Sequence, residues 1–233
     1  MTYMERVIAI TGIDTGIGKT LVTGLLARSL TEEGRRVITA KAVQTGCEAP
    51  IAEDIALHRR IMGIPFQEED LTGLTCPYCY RLPASPHLAA REEGETIDPP
   101  KIAASLSTLA ERWELVLVEG AGGVCVPLTD RYTFLSFCQE YRLSVIVVTS
   151  ARLGSINHTC LTIEALQRAN IEILGMVYNL YPPTHPRITE DSYALFASLW
   201  PEIPLVRLPQ IEGDGPLKSM SLDPLVACLG SLV

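Results

Sequence analysis

Residues 12–20 read GIDTGIGKT, between the apolar run RVIAITG (6–12) and LVTGLLARSL (21–30). That order predicts a buried strand, a glycine-bearing turn and a helix opening at Lys19. The second half of the turn suits a phosphate. Gly16 and Gly18, on either side of Ile17, let backbone N–H groups turn toward an anion, and the helix N-terminus adds a partial positive charge. Lys19 is placed to reach β- and γ-phosphates, and the Thr20 hydroxyl to bind Mg2+. The first half departs from the usual loop, which puts four residues between its first glycine and the Gly-Lys pair. Here five separate Gly12 from Gly18.

Further runs of strand length are RRVITAK (35–41), ELVLVEG (114–120), SVIVVTS (144–150), ILGMVYN (173–179) and the shorter IPLVRLP (203–209). Most are nearly all apolar, as in strands covered on both faces. Helical stretches over 19–33, 53–62, 98–112, 155–169 and 187–199 lie between them. The alternation predicts right-handed βαβ crossovers, and so an α/β fold with a mostly parallel β-sheet and helices on both faces. With no repeat, low-complexity tract or obvious linker, residues 1–233 read as a single domain. Ligands of such sheets bind beyond the carboxyl ends of the strands. Gly12, Lys41, Glu119, Ser150 and Asn179 therefore share one rim.

Composition narrows the partners. The chain is 47% hydrophobic and 20% charged, with a formal net charge of −8. This argues against a general DNA- or RNA-binding surface, which needs clustered Lys and Arg, but leaves room for a nucleotide held by a few fixed donors. No apolar run approaches the ~20 residues needed to span a bilayer, and MTYMERVIAIT reaches charge too early for a secretory signal. Seven scattered cysteines suit a reducing cytoplasm. Cys76 and Cys79 form a CxxC pair without the second pair that zinc needs, and read as loop thiols.

The rim carries further signals. VLVEGAGG (116–123) ends a buried strand on Glu119, the expected second Mg2+ ligand beside a phosphate loop. The small residues Gly120, Ala121 and Gly122 let a substrate approach the backbone. AKAVQTGC (40–47) puts Lys41 at a strand end with Thr45 following. EDIAL (53–57) puts Asp54 at a helix start, where an N-cap role alone would account for it. LGSINH (153–158) opens another helix, with free N–H groups expected from Ser155 onward and the Asn157 side chain as an extra donor.

In chain order, GIDTGIGKT, KAVQTG, EDIAL, SPH (85–87), EGAGG (119–123) and LGSINH resemble the motifs of the dethiobiotin synthetases. The resemblance runs from about residue 6 to 179. It implies a single-domain P-loop NTPase fold, ATP and Mg2+ as cofactors, and the joining of CO2 to 7,8-diaminopelargonate as a cyclic urea in biotin synthesis. By the same resemblance Lys19 and Lys41 would be catalytic, and Thr20, Asp54 and Glu119 would hold Mg2+. Gly16, Ile17, Gly18, Lys19, Thr20 and Leu21 would bind the nucleotide, as would Gly120, Ala121 and Gly122, with Asn179 at the nucleobase and Pro209 also on the nucleotide side. Thr15, Lys41 and Thr45 would meet the carbamate and substrate. Gly154, Ser155 and Asn157 would receive the substrate carboxylate across a two-fold axis. That implies a homodimer with shared sites, in the cytoplasm, with no nucleic acid or membrane as partner. Ala42 stands where the family has proline, which leaves the strand exit less restrained, and RLPQIEGDG (207–215) matches weakly.

Two other classes share the loop. ATPases of the ParA and MinD type carry a signature lysine where this chain has Asp14. The amidotransferase-type synthetases of corrin metabolism carry a second, glutaminase domain, for which 233 residues leave no room.

Overall fold

From the amino end, the elements are β1 (Val7–Gly12), α1 (Lys19–Glu32), β2 (Val37–Lys41), β3 (Gln44–Thr45), α2 (Glu53–Met62), α3 (Glu68–Leu71), β4 (Cys79–Tyr80), α4 (Pro86–Glu92) and α5 (Pro99–Arg112). There follow β5 (Leu115–Glu119), β6 (Pro127–Thr129), β7 (Tyr132–Thr133), α6 (Phe134–Glu140), β8 (Ser144–Ser150), α7 (Ser155–Arg168), β9 (Ile173–Asn179), α8 (Pro186–Leu199), β10 (Leu205–Leu208) and α9 (Asp223–Leu229). This computed structural model describes residues 3–210 and 222–229.

Six strands form one sheet in the order β10-β9-β8-β1-β5-β2, every neighbouring pair parallel. Successive strand residues face opposite sides, yet every residue of β1, β2 and β5 is buried. Helices therefore cover both faces, and the apolar side chains form one continuous core. β1 sits inside the sheet between β5 and β8, so the turn after it opens at the centre of the rim. The register sets Lys41 level with Glu119, and Ile10 level with Glu119 on its other side.

Close packing of α1 on α2 brings the two helix starts together. A Cβ on Gly24 would lie 2.8 Å from Ile61 Cδ1, so only a bare Cα permits this approach. Arg59, buried on α2, forks onto both Asp70 carboxylate oxygens (2.8 and 2.7 Å) and donates to Thr39 Oγ1 at 2.7 Å. Thr75 also donates to Asp70. This network ties α2 to β2 and α3, and removing one partner of such a buried pair costs roughly 3–5 kcal/mol.

The structure departs from the sequence reading in three places. The 203–209 run is strand only over Leu205–Leu208. Short elements were not foreseen: the parallel pair β3–β4, the antiparallel pair β6–β7, and α3, α4, α6 and α9. Strands of two or three residues, and helices of no more than seven, are too short to display their period. The strand exit at Ala42 is tied rather than loose, because the Ala42 N–H, which proline would lack, donates to the Glu119 carbonyl at 3.0 Å. Of the weakly matching 207–215 stretch, residues 211–215 lie outside the described residues. Among the described residues, no helix is long and apolar enough to cross a membrane.

Candidate active site

β1 ends at Gly12 and the chain turns through Gly16 (φ 67°) and Gly18 (φ 102°) into α1. Gly18 takes left-handed backbone, and a Cβ there would lie 2.5 Å from Asn179 Nδ2, so glycine is required twice over. No side chain caps α1, which leaves its first N–H groups for an anion. Lys19 Nζ, on a side chain buried beneath the loop, donates to the Asp14 carbonyl at 3.0 Å. Burial, aided by the charge of Lys41, lowers its pKa to about 8, against the opposing pull of Glu119 and Asp54. An ammonium has three N–H donors, and a phosphate would supply both the acceptors and the countercharge.

Beside Lys19, oxygen donors converge from three elements. Thr20 Oγ1 lies 3.2 Å from Asp54 Oδ1 and 3.1 Å from Glu119 Oε1. Lys41 Nζ bridges Asp54 Oδ2 (2.6 Å) and Glu119 Oε1 (2.8 Å), and donates to the Gly120 carbonyl at 3.3 Å. Burial by itself would raise the Glu119 pKa, but the Lys41 charge and a hydrogen bond from His58 outweigh it and hold the carboxyl down at about 2. Burial likewise opposes the Lys41 charge, and the two carboxylates overcome it, raising that pKa. Asp54 is the second residue of α2, behind Ala52. Its carboxylate is therefore no N-cap; it points at Lys41 and Thr20.

These groups line a cavity of about 270 Å³ together with Thr15, Gly16, Gly18, Gln44, Thr45, Ala121 and Gly122. Ile17 is buried under the loop and Leu21 is half-buried on α1; neither lines the cavity. Asn179 also stands outside it. The Asn179 Nδ2 donates to the Ile17 carbonyl at 2.9 Å and its Oδ1 accepts from Tyr181 N–H at 3.0 Å, so this side chain braces the loop. Pro209 is exposed and apart from the cavity. Gly154 and Asn157 are exposed, and Ser155 is buried with its hydroxyl 3.0 Å from Ser150 Oγ. The Ser155 N–H, expected above to be free, instead donates to the Arg152 carbonyl at 3.1 Å.

The donor set suits Mg2+, a hard cation held by one or two carboxylates plus substrate phosphates rather than by an all-protein cage. Among the described residues no group of three or more His, Cys, Asp or Glu could hold a metal by itself. Thr20, Asp54 and Glu119 supply a hydroxyl and two carboxylates at the mouth of the phosphate loop. Burial pushes the Cys76 thiol up to about 12, and it donates to the Tyr78 carbonyl at 3.2 Å, as an unreactive loop thiol does. A larger hollow of about 540 Å³, lined by His87, Arg91, Asp130 and Arg131 among others, contains none of the loop residues. It sets Arg91 against Asp130 rather than gathering one sign of charge.

Three contributors escaped the sequence reading. His58 bonds Glu119 at 3.0 Å from α2, and its position four residues after Asp54, on the same helix face, was a usable signal. Gln44 Oε1 accepts the Asp54 N–H at 3.4 Å. Arg152 pairs with Asp14 across 138 positions of sequence, a contact no local pattern announces.

A family model described as an AAA domain matches residues 6–212. Solved structures of similar shape include a ParA family ATPase from Chlorobium tepidum (TM-score 0.55, 14% identity, covering 97% of this chain and 92% of that one). Another is the cell division ATPase MinD of Pyrococcus furiosus (TM-score 0.54, 18% identity, 98% and 100% covered). At such identities the likeness establishes the fold alone. Sequence relatives are far nearer. The chain is 50% identical to an ATP-dependent dethiobiotin synthetase of Chlorobaculum tepidum, over 83% of this chain and 80% of that one. It is 47% identical to an enzyme of the same name from Pasteurella multocida, over 81% and 88%. With the loop, its lysines and the paired carboxylates in one cavity, this chain belongs to the dethiobiotin synthetase family.

Proposed function

We propose that this chain, acting as one unit, is an ATP-dependent dethiobiotin synthetase that closes a cyclic urea from 7,8-diaminopelargonate and CO2. The observation that carries this is the convergence of Lys19, Lys41, Thr20, Asp54 and Glu119 in one cavity under a phosphate loop. One amine of the substrate captures CO2 as a carbamate, losing a proton. A carbamate is a poor electrophile because it carries a full negative charge. Transfer of the γ-phosphoryl group of ATP to a carbamate oxygen gives a carbamic–phosphoric anhydride and ADP. The second amine then attacks the carbonyl, the C–O bond to phosphate breaks, and the ring closes with release of phosphate and a proton.

Catalysis of this kind is positioning and charge neutralisation, with no covalent nucleophile required. The backbone N–H groups at the start of α1 and the Lys19 ammonium hold the phosphates. Lys41, at the next strand end but one, meets the carbamate, with Thr15 and Thr45 on the substrate side. Thr20, Asp54 and Glu119 would hold Mg2+, which offsets charge on the phosphates when bound. The start of α7 receives the substrate carboxylate from a second copy of the chain. In support, Leu153 and Ile156 beside it are 81% and 39% exposed, apolar side chains suited to a contact between copies in a cytoplasmic homodimer.

Mass spectrometry of a mixture of protein, diaminopelargonate, bicarbonate and Mg-ATP tests the reading. Dethiobiotin is expected only with every component present. ATP hydrolysed at the full turnover rate without diamine and CO2, and no dethiobiotin formed, would sink it.

A further inference from the structure

The buried histidine of α2 has no place in the chemistry above, yet it touches the centre of the site. His58 is 0% exposed and does not line the cavity. Its Nε2 lies 3.0 Å from Glu119 Oε2. Glu119 is ion-paired with Lys41 at 2.8 Å, and a carboxylate only accepts hydrogen bonds, which makes His58 the donor through Nε2. Its Nδ1 is buried with no hydrogen-bond partner among the described residues. All of its polar contact is therefore spent on one carboxylate oxygen.

The two oxygens of Glu119 divide their partners. Oε1 receives Thr20 and Lys41, both of which line the cavity, whereas Oε2 receives His58 from behind. We infer that His58 is a positioning residue for the metal–nucleotide site: its Nε2–H pins Oε2 and so turns Oε1 toward the cavity. Because Asp54 and His58 sit four residues apart on one face of α2, a single helix supplies one candidate ligand and aims the other. The inference rests on the reading that Glu119 helps to hold Mg2+.

The test is calorimetric binding of a non-hydrolysable ATP analogue to the full chain, with Mg2+ and with EDTA, so that the gain in affinity due to metal is read directly. His58→Leu should lose about tenfold or more of that gain, the usual cost of losing a partner behind a metal ligand, with metal-free affinity unchanged. His58→Gln, whose amide nitrogen overlays Nε2, should keep the gain. His58→Asn reaches only as far as Nδ1 and should lose it. If the leucine variant does not fold, the Gln–Asn pair, matched in polarity, carries the comparison. A role in packing alone would change the affinities with and without metal together. Full retention of the gain by His58→Asn, or its equal loss in Gln and Asn, overturns the inference. Glu119→Gln measured alongside separates the two levels. If Glu119→Gln keeps the gain, the reading of Glu119 as a metal ligand falls too. If it loses the gain while His58→Asn keeps it, only the role of His58 falls.

Discussion

Two helices of this protein start in the same way and end up with different surroundings. α1 and α7 each follow the carboxyl end of a strand and each begin after a left-handed glycine, Gly18 (φ 102°) and Gly154 (φ 89°), with no side-chain cap. At the start of α1 the uncapped N–H groups face a cavity walled by Lys19, Lys41, Asp54 and Glu119, all from this chain. At the start of α7 the neighbours are exposed: Gly154, Asn157 and Leu153, the last 81% exposed. The backbone supplies an anion-facing end in both places. Among the described residues, only the first has walls. The second would become a site when something covers it, which is the part proposed for a second copy.

The sharpest way to break this contrast is Lys41→Ala, for which the largest effect is expected. Turnover should fall by about 10²–10³-fold, the usual loss when a charge-stabilising donor is removed. Nucleotide affinity in Mg2+ should stay nearly intact. The mutation also strips the ammonium from two carboxylates, of which Glu119 is fully buried, and an uncompensated buried charge costs roughly 3–5 kcal/mol. The melting temperature should therefore drop in EDTA and recover in part with Mg2+. A variant that loses nucleotide affinity as strongly as Lys19→Ala would show that Lys41 serves ATP rather than the carbamate.

A smaller, paired effect sharpens the comparison itself. Gly18→Ala and Gly154→Ala each force an L side chain into left-handed backbone, at about 1–2 kcal/mol. Their surroundings then separate them. The new Cβ at 18 would lie 2.5 Å from Asn179 Nδ2, against the bond that braces the loop; the one at 154 meets nothing nearer than His158 Cε1 at 4.0 Å. Gly18→Ala should melt lower and bind nucleotide about tenfold or more weakly, by roughly 1.4 kcal/mol per tenfold. Gly154→Ala should leave nucleotide affinity unchanged. Equal losses in the two, measured by calorimetry, would mean that the starts do not differ in the way described.

What the sequence disclosed follows the same division. The six strands of the sheet were legible as nearly unbroken apolar runs between turn residues, and the helices from Lys19, Glu53, Pro99, Ser155 and Pro186 because each is long enough to show its pattern. The loop, Lys41 and Glu119 were legible because strand ends in a parallel sheet share a rim, whereas Asp54, at a helix start, was picked out for the site only by the resemblance. Side-chain direction was not legible. The resemblance puts Asn179 at the nucleobase, but nothing in the sequence says that its amide also bonds the Ile17 carbonyl and the Tyr181 N–H. For Asp54 the sequence left an N-cap as the plain alternative, although the carboxylate faces Lys41. Contacts such as Arg152 with Asp14, far apart in the chain, depend on how loops meet above the sheet, and no period encodes that.

That last contact carries the smallest expected effect, and it joins the two helix starts. Asp14 lies in the loop before α1 and Arg152 in the turn before α7. The Asp14 carboxylate also accepts the Thr15 N–H at 2.7 Å. Slight burial works against its charge, but that bond and Arg152 together lower its pKa below the ordinary 3.8. A carboxyl with a lowered folded pKa stabilises the fold above its unfolded pKa, and that contribution disappears as pH falls through the folded value. Both side chains are more than a third exposed, at 35% and 43%, so solvent and salt screen the pair and it is worth only about 0.2–1 kcal/mol. Arg152→Gln should therefore lower the melting temperature by a degree or so to a few degrees in a domain of this size. The difference from wild type should shrink in about 1 M salt, where the Debye length is near 3 Å. It should also narrow as the pH falls below the usual aspartate range. Nucleotide affinity should be within about twofold of wild type, the scale of a few tenths of a kcal/mol. A tenfold loss would make the pair part of the phosphate site, and the two helix starts one coupled unit rather than two separate ones.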